Sequence, residues 1–190
     1  MRVLVACEYS GRVCDAFIAR GHMAVSCDLI PSEGQNPACH IEGDAIDAIE
    51  MAEWDMLIAF PPCTYLCNSG VRWLHERRGR WMRMEQACGF FRALLAAPVE
   101  RIAIENPVMH GYAREIIGRG PDQSIQPWQF GHGEVKRTCL WLKNLPPLEP
   151  TQIVDGREPK IHHASPGPGR GKDRSLTYQG IADAMAEQWG

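Results

Sequence analysis

The chain has 190 residues, of which 45% are apolar and 23% charged, and carries a net charge of −3. That length predicts one domain over residues 1–190 with a core of ordinary size, and no apolar run approaches the roughly 18 residues of a membrane-spanning helix. Eight cysteines scattered through apolar segments, in a chain that opens without an export signal, predict reduced thiols in a cytoplasm and exclude a disulfide framework.

The first apolar run, Val3–Cys7, is rich in branched residues and is cut short by Glu8 and the turn Ser10-Gly11, so it predicts a strand. A helical pattern over 11–20 follows, then a second strand at Met23–Cys27, and a helix over 45–52 that starts after Asp44. Met56–Phe60 predicts a third strand and Arg101–Ile104 a fourth, with a long helix over 84–97 between them and another over 109–117 beyond. Strands alternating with helices imply an α/β fold with a mostly parallel sheet covered on both faces, in which ligands bind at the carboxyl ends of the strands. From Ser124 the segments "SIQPWQF" and "RTCLWLKNL", joined by "GHGEVK", predict a hairpin added to that sheet. Residues 157–175 are too rich in Gly, Pro and charge to pack and predict a long basic loop, with Arg157, Lys160, Arg170, Lys172 and Arg174. A helix over 179–188 closes the chain.

Charge is unevenly divided. Residues 1–60 hold 3 Lys/Arg against 10 Asp/Glu, leaving 17 against 13 for the remainder. The early segments therefore suit a neutral or cationic small ligand, and a polyanion should meet the later ones.

Several strand ends present chemistry. Cys7, Glu8, Ser10 and Gly11 form the turn between the first strand and its helix, a common place for a ligand's polar end, although one glycine falls short of a dinucleotide fingerprint. Asp28 and Leu29 end the second strand; a carboxylate there takes ribose hydroxyls or serves as an ordinary surface group. Asp44 reads most simply as a helix N-cap. After the third strand, Pro61-Pro62 stiffen the approach to Cys63. A buried cysteine is usually a small hydrophobe, but a thiol at a strand end, near positive charge, is placed to be a nucleophile. The run "VRWLHERRGRWMRM" supplies that charge through Arg72, Arg77, Arg78, Arg80 and Arg83, interleaved with Trp73 and Trp81; it is either a solvated helix face or a surface for phosphates and unstacked bases. Glu105 and Asn106 end the fourth strand, where they can face Cys63 across a crevice. Such a pair suits a pyrimidine target: an acid at N3 makes C6 of cytosine open to thiolate addition, and addition makes C5 nucleophilic. For a metal the sequence offers nothing comparable, because Cys63 and Cys67 lack a second ligand pair at finger-like spacing.

In this order these segments resemble the DNA cytosine-C5 methyltransferases, which use S-adenosylmethionine. "VLVACEYSGRVCDAFIARGH" resembles the family's first motif, "VSCDLIP" the second, "GDAI" the third, "DMLIAFPPCTYLCNSG" the Pro-Cys motif, "AIENP" the Glu-Asn-Val motif and "GIADAMAEQWG" the closing motif of the cofactor domain. The resemblance implies a Rossmann-like fold. It also implies Cys63 as nucleophile, Glu105 on cytosine N3, Asn106 ordering the site, and a cofactor held by Cys7, Glu8, Ser10, Gly11, Asp28, Leu29, Asp44 and Pro61. The family's Gln-x-Arg-x-Arg segment falls near "GHGEVKRTCLWL", where Lys136 and Arg137 stand in for its arginines and the glutamine is missing. Arg137 is taken as the catalytic one, and Lys136 joins Arg72, Arg77, Arg78 and Arg80 as contacts to nucleic acid. The family's large target-recognition domain has no counterpart between Lys143 and Ser175. Specificity is then low, or supplied by a partner protein or a second copy, or the substrate is other than duplex DNA.

The expected function is S-adenosylmethionine-dependent methylation of cytosine C5 in DNA, with single strands sparing the cost of unpairing the base. The alternatives are the same chemistry on RNA or a free cytosine nucleotide, or a catalytically silent fold that binds DNA or a partner. Pro-Pro also occurs in amino-methyltransferases, but Phe60 and Cys63 fit that pattern badly. A compact modification enzyme of this kind would suit a bacteriophage genome and the cytoplasm of its host.

Overall fold

The computed structural model describes residues 1–158 and 175–190. Seven strands form one sheet: β1 (Arg2–Ala6), β2 (Met23–Asp28), β3 (His40–Glu42), β4 (Met56–Ala59), β5 (Arg101–Pro107), β6 (Gln123–Ile125) and β7 (Thr138–Lys143), in the order β3-β2-β1-β4-β5-β7-β6. Neighbours from β3 to β5 pair in parallel, while β7 runs antiparallel to both β5 and β6. Strand order reverses between β1 and β4, which opens a crevice at their carboxyl ends.

Alternation along the central strands sends side chains to both faces, and each face has its own core. Leu4, Ala6, Leu57, Ala59, Ile102 and Ile104 pack with helices α2 (Ala45–Glu50), α4 (Arg80–Leu95) and α5 (Gly111–Ile117). Val3, Val5, Met56, Ile58 and Ala103 pack on the other side against α1 (Arg12–Ala19) and the C-terminal α6 (Gln179–Trp189). A short helix, α3 (Trp73–Glu76), precedes α4.

The predicted strands and helices are present, with three differences. The three-residue strand β3 had no branched run to announce it. α4 begins at Arg80, not at residue 84, because the left-handed Gly79 starts it. In the hairpin, Pro127 turns the first strand into a 3-10 turn after Ile125, so only Gln123–Ile125 pairs with β7. Of the expected basic loop, residues 159–174 lie outside the described residues, taking with them Lys160, Arg170, Lys172 and Arg174.

The turn after β1 is built on two devices. Gly11 has φ of 69°, and a Cβ there would stand 2.5 Å from the Cα of Gly34, so the segment before β3 packs directly on this backbone. Glu8 substitutes for a conventional cap of α1: its carboxylate accepts hydrogen bonds from the amides of Val13 (2.7 Å) and Cys14 (3.2 Å) and from the Ser10 hydroxyl (3.2 Å). Only 4% of Glu8 is exposed, and burial pushes its carboxyl up to about 7 despite those donors.

Two outcomes follow for stability. Gly11→Ala meets both a left-handed backbone and a collision, and should cost about 2 kcal/mol or more of unfolding free energy in a denaturant titration. Gly89→Ala, in the open interior of α4, should instead gain about 0.5–1 kcal/mol. For Glu8, the folded state keeps a proton between the ordinary carboxylate value of 4.5 and about 7 that the unfolded chain releases. The resulting stability is complete below 4.5 and is lost as pH rises through about 7, on the order of 3 kcal/mol in all. Glu8→Gln should therefore destabilise the fold at pH 5, by the lost cap, and be neutral or stabilising at pH 8. A pH-independent difference between the two proteins in urea titrations would refute this account.

Candidate active site

A cleft of about 580 Å³, open mouth included, lies at the carboxyl ends of β1, β4 and β5. From β1 come Cys7, Glu8, Tyr9 and Ser10; from β4, Phe60, Pro61, Pro62 and Cys63; from β5, Glu105, Asn106 and Pro107. Lys136 closes one side just before β7, with Ser175 and Thr177 from the strand of chain that precedes α6. Eight of the residues predicted from sequence thus share one cleft: Cys7, Glu8, Ser10, Pro61, Cys63, Glu105, Asn106 and Lys136.

Asn106 joins the two halves of the site. It is 1% exposed, and its Nδ2 donates to the Pro61 carbonyl at 2.9 Å, which fixes the end of β5 to the end of β4. Cys63, half-buried, lies two residues past that anchor, and its carbonyl accepts from the amides of Leu66 and Cys67, so the thiol stands at the start of a helical turn. The Asn106 Oδ1 is buried and has no hydrogen-bond partner among the described residues.

Glu105 is an acid that favours its proton. Burial raises its carboxyl above the ordinary range, and the Lys136 ammonium and Thr138 hydroxyl pull the other way. Lys136 is held for this position: its Nζ donates to the Leu176 carbonyl at 3.1 Å and sits 5.6 Å from the centre of the Tyr178 ring. Arg137 turns away. It is exposed, and its Nε donates to Ser124 Oγ at 2.9 Å, because alternation into β7 sends successive side chains in opposite directions. Of the two basic residues it is therefore Lys136 that lines the cleft, while Arg137, expected there, lies on the surface.

The other predicted cofactor residues sit beyond the cleft. Gly11 serves the turn, as above. Asp28 and Asp44 lie close enough to Cys7 that, after burial itself, their charges help push its thiol up to about 12. Asp28 is raised by burial against the amides of Leu29 and Ile30. Asp44 caps α2 by accepting from the Ile46 amide at 2.7 Å, its simpler reading. Leu29 is 72% exposed, an apolar face beside these carboxylates. In the arginine run, Arg72, Arg77 and Arg78 are exposed, while Arg80 turns inward and donates to the Thr64 carbonyl at 2.9 Å.

The segment 175–178 had no periodic signal in the sequence. It is strapped over the site by long-range bonds: Ser175 Oγ pairs with Tyr9 Oη (3.2 Å), Arg12 donates to the Thr177 carbonyl (2.7 Å), and Tyr178 donates to Glu134 (2.6 Å). The polar run "SLTY" directly before the last helix is its only local trace. Among the described residues no group of three or more His, Cys, Asp or Glu could hold a metal ion, and no helix is long and apolar enough to cross a membrane.

No protein-family model matches the chain, and no curated protein matches it. Solved structures do. One is an Escherichia coli protein described as a candidate DNA modification methyltransferase encoded within a prophage, 13% identical over 81% of this chain and 52% of that one, with a TM-score of 0.51. Another is the Entamoeba histolytica methyltransferase EhMeth, 14% identical over 81% of this chain and 57% of that one, with a TM-score of 0.52. The chain spans little more than half the length of either structure. With the strand order and the antiparallel β7, the likeness establishes a Rossmann-like fold shared with these methyltransferases.

Proposed function

We propose that the chain is an S-adenosylmethionine-dependent cytosine-C5 methyltransferase acting on DNA. The observation that carries this reading is the meeting of Cys63, Glu105, whose carboxyl burial raises above the ordinary range, and Lys136 in one cleft at the switch point of the sheet. The residues present fit the cofactor: Asp28 and Asp44 are carboxylates beside the turn and suit a cationic ligand with ribose hydroxyls, and Leu29 offers an apolar face. Cys7, Ser10 and Pro61 would line its reactive end. When bound, S-adenosylmethionine supplies an electrophilic methyl group.

Residues of the chain perform the rest. Glu105, in its protonated form, which burial favours, hydrogen-bonds cytosine N3 and gives it the proton as the Cys63 thiolate forms a bond to C6. The C5–C6 π pair is thereby displaced, and C5 becomes the nucleophile that takes the methyl group. Loss of the C5 proton to a base then expels the Cys63 thiolate, breaks the C6–S bond and restores the ring. N3 returns its proton to Glu105. Lys136, beside Glu105, stabilises the negative charge that the carboxyl acquires while N3 holds the proton. Asn106 holds Cys63 and Glu105 in register through Pro61 and is a positioning residue.

Nucleoside mass spectrometry of DNA from a methylation-free host expressing the protein tests the reading directly. The wild type should produce a new C5-substituted cytosine and Cys63→Ala none; an unchanged nucleoside profile with folded wild-type protein would overturn it. Glu105→Gln keeps a hydrogen-bonding group but has no proton to give, and should lose about 10²–10⁴ in rate. Lys136→Met should cost about 100-fold, and Arg137→Met no more than about threefold. The opposite order of these two would return the cleft cation to Arg137.

A further inference from the structure

We propose that the surface beside the Cys63 loop, formed by Trp81, Tyr112 and the arginines of residues 72–83, is a stacking platform for an unpaired nucleobase of a single-stranded polynucleotide. The rings of Trp81 and Tyr112 stand 5.0 Å apart at 70°, with His75 within 5.5 Å of one and 5.9 Å of the other. Trp81 is 37% exposed and Tyr112 41%, so both present ring surface to solvent. A second ring, Trp73, has the guanidinium carbons of Arg72 and Arg77 each 4.1 Å from its centre. Arg72, Arg77, Arg78, Arg80 and Arg83 have no carboxylate partner among the described residues, unlike Arg20, which pairs with Glu187, and Arg119, which pairs with Asp122.

These charges decide the partner. Covering the patch with an apolar protein surface would strip water from several guanidiniums without replacing it, whereas a phosphate backbone supplies the counter-charge. The aromatic surface decides the strand state. Bases within a duplex are already stacked on one another, so an exposed ring gains a partner only where a base is unpaired. Hydrogen bonds connect this platform to the nucleophile: His110 packs on Tyr112, its Nε2 lies 3.0 Å from the Tyr65 carbonyl, and Arg80 binds the Thr64 carbonyl, so the contacts end one and two residues from Cys63. A base stacked there is the neighbour of one entering the cleft. Only that last placement rests on the cytosine-methyltransferase reading.

Fluorescence anisotropy with the full chain tests the platform without any turnover. The probes are a labelled single-stranded DNA 12-mer, its RNA counterpart and the blunt DNA duplex, at one fixed salt concentration. Wild type should bind a single strand about tenfold more tightly than the duplex; Trp81→Ala should erase most of that preference, and Trp81→Phe should retain it. The tighter of the two single strands identifies the sugar. Equal binding of duplex and single strands by wild type would overturn the proposal without recourse to any variant, as would no binding to either, which would leave the patch as a protein surface. Trp81→Ala that keeps its unfolding midpoint and its single-strand preference would overturn it too. A stacking platform with no modified cytosine in the host would sink the catalytic reading alone, and modified cytosine with no single-strand preference would sink the platform alone.

Discussion

The bond from the Asn106 side chain to the Pro61 carbonyl, 2.9 Å long and buried, is the constraint on which the site depends. Two parallel strands end side by side, and nothing in their ladder beyond Ala59 and Ile104 dictates how the chains diverge. Asn106 does so. It occupies the carbonyl of Pro61, which burial would otherwise leave unpaired at a cost of about 1–3 kcal/mol, while the following proline has no amide to misdirect. Glu105, one residue before the anchor, and Cys63, two after its partner, are thereby brought to one cleft without touching through the sheet. The Oδ1 of the same amide is a buried acceptor with no hydrogen-bond partner among the described residues.

The acidic and basic segments, legible as a charge imbalance in the sequence, become two sides of one crevice. Glu8, Asp28 and Asp44 surround the β1 and β2 ends, where burial raises Glu8 and Asp28, and where Asp28 and Asp44 add to the burial that raises Cys7. The arginines between residues 72 and 83 lie on the side of the Cys63 loop. A cationic small ligand and a polyanion can then share the crevice without crossing each other's field.

Most of the fold could be read because its signals are local: branched runs for the central strands, caps and glycines for the helices, proline and cysteine together at a strand end. The choice between Lys136 and Arg137 was not local. Adjacent residues entering a strand point to opposite sides, and which one faces the cleft depends on the register of β7 against β5, with Thr138 opposite Pro107 and Leu140 opposite Glu105. No property of "VKRTC" contains that pairing. The wall from Ser175 to Tyr178 was invisible for the same reason, since the bonds that strap it over the cleft reach partners forty or more positions away. Asp44 shows the reverse case, in which the plainest local reading, a helix cap, describes what the side chain does.

Two thiols line the cleft, and the environment distinguishes them. Cys7 sits at the tip of β1 with φ of 58°, a left-handed conformation that costs a residue with a side chain about 1 kcal/mol or more. Burial, then Asp28, Cys27 and Asp44, push its thiol up to about 12, so it is protonated at any working pH and inert as a nucleophile. The turn tolerates that strain because Glu8 immediately after it must reach back to the amides of α1, which an extended Cys7 would prevent from the same anchor point. Cys63 has the contrary setting: half-exposed, beyond two prolines, on the side of the arginines and not the carboxylates. The same chemical group thus stands in two different settings, among carboxylates on one wall and on the side of the arginine run on the other, and the difference lies in which charges each strand end carries.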